Sequence, residues 1–121
     1  VKGDILIIDD ERVFPSLERV FHVTYARTSA DAIALLASDT VWREVWFDHD
    51  LGPGDDAMRV LVFMANVHDV APGVWRRRIE RAFVHSMNPV GAANIRSRVK
   101  DFGIVTRRIP LPEGHSTIHA T

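Results

Sequence analysis

A chain of 121 residues with 46% hydrophobic and 26% charged positions is sized and composed for a single globular domain. It has no cysteine, which excludes a disulfide scaffold, a thiolate metal site and a cysteine nucleophile. The net charge of −1 is divided as −6 over residues 1–60 and +5 over residues 61–121, a split that suits a metal ion and a phosphate-bearing ligand on one molecule.

Ile5–Ile8 is an unbroken aliphatic run that stops at Asp9-Asp10, as a strand buried on both faces does. Val13–Phe21 has a weak helical pattern, with Pro15 tolerated in the first turn. His22–Ala26 alternates like a short strand, and Thr28-Ser29 offers caps for a helix over Ala30–Ala37. Val45–Phe47 is a second buried run ending in acid, at Asp48. After the Gly52-Pro53-Gly54 loop, Asp55 or Asp56 can cap a helix to about Val67, with Met58, Leu61, Val62 and Ala65 at helical spacing. Ala71-Pro72-Gly73 breaks that pattern. Arg81–Val84 reads as a strand, and Asn88-Pro89 opens a helix to about Phe102, with Gly103 as the C′ residue. Ile104–Ile109 is the last strand; Pro110, Pro112 and Gly114 begin a tail.

Strand and helix therefore alternate five times, the last helix missing or vestigial. That order predicts an α/β domain over residues 1–110, with 111–121 as a C-terminal tail. Right-handed crossovers give a flavodoxin-like, doubly wound, five-stranded parallel sheet of order 2-1-3-4-5. No apolar run approaches the ~18 residues of a membrane span, and Val1–Asp4 shows no leader pattern. A cytoplasmic protein without a membrane partner is expected; the oligomeric state is not legible.

Ligands of such sheets bind beyond the carboxyl ends of the strands. Three predicted strands end there in polar clusters: Asp9-Asp10-Glu11-Arg12, Asp48-His49-Asp50-Leu51-Gly52 and His85-Ser86-Met87-Asn88-Pro89. Strands 1, 3 and 4 are neighbours in this order, so the clusters should converge. The first two clusters resemble a response-regulator receiver domain. That resemblance implies a magnesium ion held by Asp9, Asp10 and Asp48, with Asp48 as phosphate acceptor. The receiver's Lys-Pro after strand 5 has no match; Arg107-Arg108-Ile109-Pro110 stands nearby. The set Asp-Asp-x-Arg, Asp-His-Asp-Leu-Gly and His-Ser-x-Asn-Pro-x-Gly, read from Asp9 to Gly91, is similar to the cyclic-phosphate processing receiver-like family. The resemblance covers residues 5 to about 100 and implies processing of cyclic phosphate ends, on RNA or on a small phosphate-containing molecule.

The chemistry is coherent with these residues. Opening a cyclic phosphodiester needs an activated water, a proton for the leaving oxygen and charge stabilisation. His49 and His85 can divide the acid and base work, their unperturbed pKa lying near ~6.5. Asp48, Asp50 or Asp10 can orient an imidazole, and a magnesium ion can polarise the phosphate. Arg12 is a fork-shaped phosphate donor; Ser86 and Asn88 can form an anion site at a helix N-terminus. Two rivals remain at this level: a phosphotransfer receiver using Asp48, and a non-catalytic module that binds a phosphate ligand or a protein. Arg76-Arg77-Arg78 with Arg81 reads as a solvated face or an RNA-backbone patch. Trp42, Trp46 and Trp75 read as packing residues.

Overall fold

The computed structural model describes residues 2–108. Five strands form one parallel sheet of order β2-β1-β3-β4-β5: β1 (Lys2–Ile8), β2 (Val23–Ala26), β3 (Val41–Phe47), β4 (Ile79–Val84) and β5 (Val105–Arg108). The expected order is the one found. Ile109 and the tail over 111–121 lie outside the described residues.

Strand β1 lies between β2 and β3, and Ile5, Leu6, Ile7 and Ile8 are all fully buried. The alternation of a strand divides them between two cores. Leu6 and Ile8 face the larger one, built with α2 (Ser29–Ala37), α3 (Met58–Val70), α4 (Val74–Arg78) and α5 (Pro89–Asp101). Ile5 and Ile7 face the smaller one, built with Phe14 and the single turn α1 (Pro15–Glu18). Right-handed crossovers explain the imbalance: β1 to β2 steps one way along the sheet, and every later connection steps the other.

Several boundaries differ from the sequence reading. The helix expected over Val13–Phe21 is one turn, Pro15–Glu18. No side chain caps it, and the chain must turn by Phe21 to feed β2. Asp55 does not cap α3: its Oδ2 accepts the Ser29 N–H of α2 at 2.8 Å, and Asp56 Oδ1 accepts the Met58 N–H at 2.9 Å. The short α4 had too few apolar residues to register in the sequence. It is anchored by buried Trp75, whose Nε1 donates to the Met64 carbonyl at 2.8 Å. No helix among the described residues is long and apolar enough to cross a membrane.

Helix α5 closes the site edge and is well delimited at both ends. Asn88 is its N-cap, accepting the Gly91 N–H at 3.0 Å, and Pro89 opens the first turn. Gly103 follows the helix with a φ of 81°, which favours glycine. Asn88→Ala removes the cap, and a loss of about 1 kcal/mol is expected, read as a lower urea midpoint at unchanged slope.

Candidate functional site

One register row of the sheet builds the site. Ala26, Ile8, Phe47 and Val84 lie side by side across β2, β1, β3 and β4. The next residue on each strand is Arg27, Asp9, Asp48 and His85. Backbone bonds continue the ladder past the strand ends: Asp9 N–H to Ala26, Asp48 N–H to Ile8 and His85 N–H to Phe47, at 3.0–3.1 Å. The side chains of this row therefore arrive together.

Asp9 is the hub. Its Oδ1 accepts the backbone N–H groups of Glu11 (3.0 Å) and Arg12 (2.9 Å). Its Oδ2 accepts Arg12 Nη1 (3.1 Å) and His85 Nε2 (2.9 Å). Burial alone would raise this carboxyl, but the hydrogen bonds from His85, Arg12 and Glu11 outweigh it and hold Asp9 well below the usual carboxylate range. Arg12 Nη1 also donates to Asp48 Oδ2 at 3.0 Å, so one nitrogen spans the two carboxylates. Burial would weaken the Arg12 cation, yet the charges of Asp9 and Asp48 carry its pKa upward. Asp48 moves the other way from Asp9. Burial and the Asp9 charge raise it, against His85, Arg12 and a hydrogen bond from Ser86.

Arg27, which the sequence reading did not single out, fastens the loop. Its Nη1 donates to the Asp9 carbonyl (3.1 Å) and the Arg12 carbonyl (2.6 Å). Its place one residue beyond β2 was the available signal.

The two histidines do not converge. His85 is buried at the smaller core, with Phe14 edge-on at 5.7 Å and Trp46 tilted at 5.9 Å between centroids. Its Nδ1 has no hydrogen-bond partner among the described residues. His49 comes one residue after the register row, so the strand pleat sends it to the opposite face. There its ring lies against Gly91 of α5. His49 Nδ1 pairs with Asp50 Oδ1 at 3.0 Å; the His49 side chain is 16% exposed and that of Asp50 70%.

Asp10, Glu11, Arg12, Asp48, Asp50, Gly52 and Met87 line a cavity of about 330 Å³ at this edge. Ser86 and Asn88 are largely committed to backbone: Ser86 Oγ accepts the Asn88 N–H at 3.0 Å, and Asn88 Oδ1 caps α5. Among the described residues, the group whose donor atoms all fall within 4.8 Å of one another is Asp9, Asp48 and His85, without Asp10.

Comparison with known proteins agrees with this architecture. A CheY-like response regulator receiver domain protein from Methanospirillum hungatei JF-1 superposes with a TM-score of 0.51 at 14% identity, over 93% of this chain and 85% of that one. A structure described as adenylate cyclase from Rhodopirellula baltica gives a TM-score of 0.58 at 15% identity, over 93% and 80%. At such identities the likeness shows the fold alone. No curated protein matches the chain. The family model described as "Cyclic-phosphate processing Receiver domain" matches residues 5–101. That span holds every strand end of the polar row, and the chain belongs to the cyclic-phosphate processing receiver domain family.

Proposed function

We propose that the chain is a phosphoesterase that opens cyclic phosphates, with His49 and Asp48 as the proton-handling groups. The observation that carries this reading is the cavity lined by Arg12, Asp48 and Asp50, of which Asp50 holds His49 Nδ1 at 3.0 Å. With Nδ1–H donated to Asp50, the His49 Nε2 lone pair is available to a water. Attack of that water on phosphorus transfers its proton to Nε2. The phosphorus bond to one ring oxygen breaks, and that oxygen takes a proton from Asp48, whose pKa burial and the Asp9 charge raise above the ordinary carboxylate value. Arg12 offsets charge on the phosphoryl oxygens, and Asn88 offers its Nδ2 protons. The products are a phosphomonoester and a free hydroxyl.

In this reading His85 is a positioning residue. It is too deeply buried to meet substrate and acts through Asp9, whose oxygen it shares with Arg12. No step is routed through a metal ion. The substrates that fit are 2′,3′-cyclic nucleotides and RNA ending in a 2′,3′-cyclic phosphate. Among the described residues, the lining of this cavity holds no histidine, which also favours a second reading, a module that binds the phosphate without turnover.

Phosphorus NMR on both substrates tests the proposal. The cyclic resonance is expected to give way to a monoester resonance, and His49→Gln is expected to slow this by on the order of a hundredfold or more. Unchanged turnover in His49→Gln removes His49 from the mechanism. An unchanged spectrum with the unmodified chain, accompanied by ligand-induced thermal stabilisation, establishes the binding module instead.

A further inference from the structure

We infer that Arg12 is the resident cation of the Asp9–Asp48 pocket, standing where a receiver-like fold would call for a divalent ion, and that this side chain masks a latent transition-metal site. The inference does not depend on turnover of a cyclic phosphate.

The donor set does not fit magnesium as arranged. Both Asp9 oxygens are already committed, Oδ1 to two backbone N–H groups and Oδ2 to Arg12 and His85. Arg12 Nη1 lies 3.1 Å from Asp9 Oδ2 and 3.0 Å from Asp48 Oδ2, so an ion shared by these carboxylates would have to displace it. Magnesium also demands near-octahedral oxygen ligation and usually retains several waters. Asp10, the remaining carboxylate of the expected set, is not part of the three-residue donor group. The guanidinium is held in place by its two carboxylates, and its backbone is held by Arg27 on the Asp9 and Arg12 carbonyls.

What lies behind Arg12 is a different donor set. Asp9, Asp48 and His85 offer two carboxylates and one imidazole within 4.8 Å of one another. The imidazole is a donor that zinc, iron or nickel favours, and the two carboxylates are donors that manganese accepts. A fixed positive charge among them opposes any divalent ion electrostatically. Removing that charge while keeping the apolar stem should therefore uncover the site.

The test is manganese titration followed by electron paramagnetic resonance, on the unmodified chain, Arg12→Met, Asp48→Asn and the Arg12→Met/Asp48→Asn double variant. Folding is checked by circular dichroism. The unmodified chain is expected to show no manganese binding that Asp48→Asn abolishes. Arg12→Met is expected to bind one ion at least roughly tenfold more tightly than the unmodified chain, with the double variant losing it. Weak binding that persists in Asp48→Asn belongs to the outer carboxylates and leaves the pocket to Arg12. Tight binding by the unmodified chain that Asp48→Asn abolishes overturns the inference, whether or not Arg12→Met folds. A folded Arg12→Met that binds no more tightly than the unmodified chain overturns the latent site.

Discussion

Asp9→Asn is expected to cost about 3–5 kcal/mol of stability, whereas Asp48→Asn is expected to be neutral or stabilising by about 1 kcal/mol. The two aspartates share one arginine nitrogen, yet their environments have opposite signs. Asp9 receives four donors, and its carboxyl is held well below the usual range. Asparagine in its place keeps an oxygen for the Glu11 and Arg12 amides but turns an NH₂ group toward Arg12 Nη1. The cation then loses half of its partners inside a buried pocket. Asp48 is instead raised, by burial and by the charge of Asp9. Asparagine there removes that repulsion and retains an oxygen for Arg12. The pH dependences follow from linkage. Asp9 has a folded pKa below its unfolded value, so its contribution is present above the unfolded pKa and is lost as the pH falls through the folded one. For Asp48 the folded value is the higher. Its contribution is favourable below the unfolded pKa and is lost as the pH rises through the folded one. Urea unfolding from neutral pH into the acid range should thus show the Asp9→Asn deficit narrowing as the pH falls, and any Asp48→Asn gain vanishing. Equal destabilisation by both substitutions at neutral pH would rule out this division.

How much of this was legible beforehand depends on the residue. The order of the sheet followed from the alternation of strands and helices, because right-handed crossovers leave few alternatives. The convergence of Asp9, Asp48 and His85 followed from their places at the ends of three adjacent strands, and the register row explains it. Arg27 belongs to that same row through β2, but a lone arginine after a weak strand carries no chemical signature. The separation of His49 from His85 was missed for a different reason. Treating a strand end as a point ignores the pleat, and one residue of offset places the rings on opposite faces of the sheet. The double use of Arg12 is a tertiary contact, since local sequence cannot show that its Nη1 reaches an aspartate 36 positions away. Likewise, the one-turn α1 reflects a tertiary demand to enter β2 early, which overrides a weak helical pattern.

Gly91→Ala is expected to leave the fold intact and to lower turnover by about a hundredfold, because it evicts His49. Gly91 occupies the first turn of α5, where alanine would ordinarily stabilise a helix by about 0.5–1 kcal/mol. Here a Cβ at that position would lie 2.5 Å from His49 Cγ, 2.6 Å from Cδ2 and 2.9 Å from Cβ. No carbon contact tolerates such separations, so either the ring or the helix must move. The helix is tied down by Pro89, the Asn88 cap and the burial of Ala92, Ile95 and Val99. The His49 main chain is tied down as well, its carbonyl accepting the Ala57 N–H at 2.8 Å. Rotation of the imidazole away from Asp50 relieves the Cγ and Cδ2 contacts and breaks the bond at Nδ1 that fixes the tautomer, while the Cβ contact needs a small backbone shift as well. A displacement of about 1 Å at a reacting group is enough for a hundredfold loss. Nitrogen-detected NMR of the His49 ring reads the displacement directly, independent of any substrate, and the phosphorus assay reads its consequence. An unchanged His49 ring signal in folded Gly91→Ala would show that the glycine is not the seat of the imidazole. A shifted ring with full turnover would instead remove His49 from the reaction while leaving the packing argument intact.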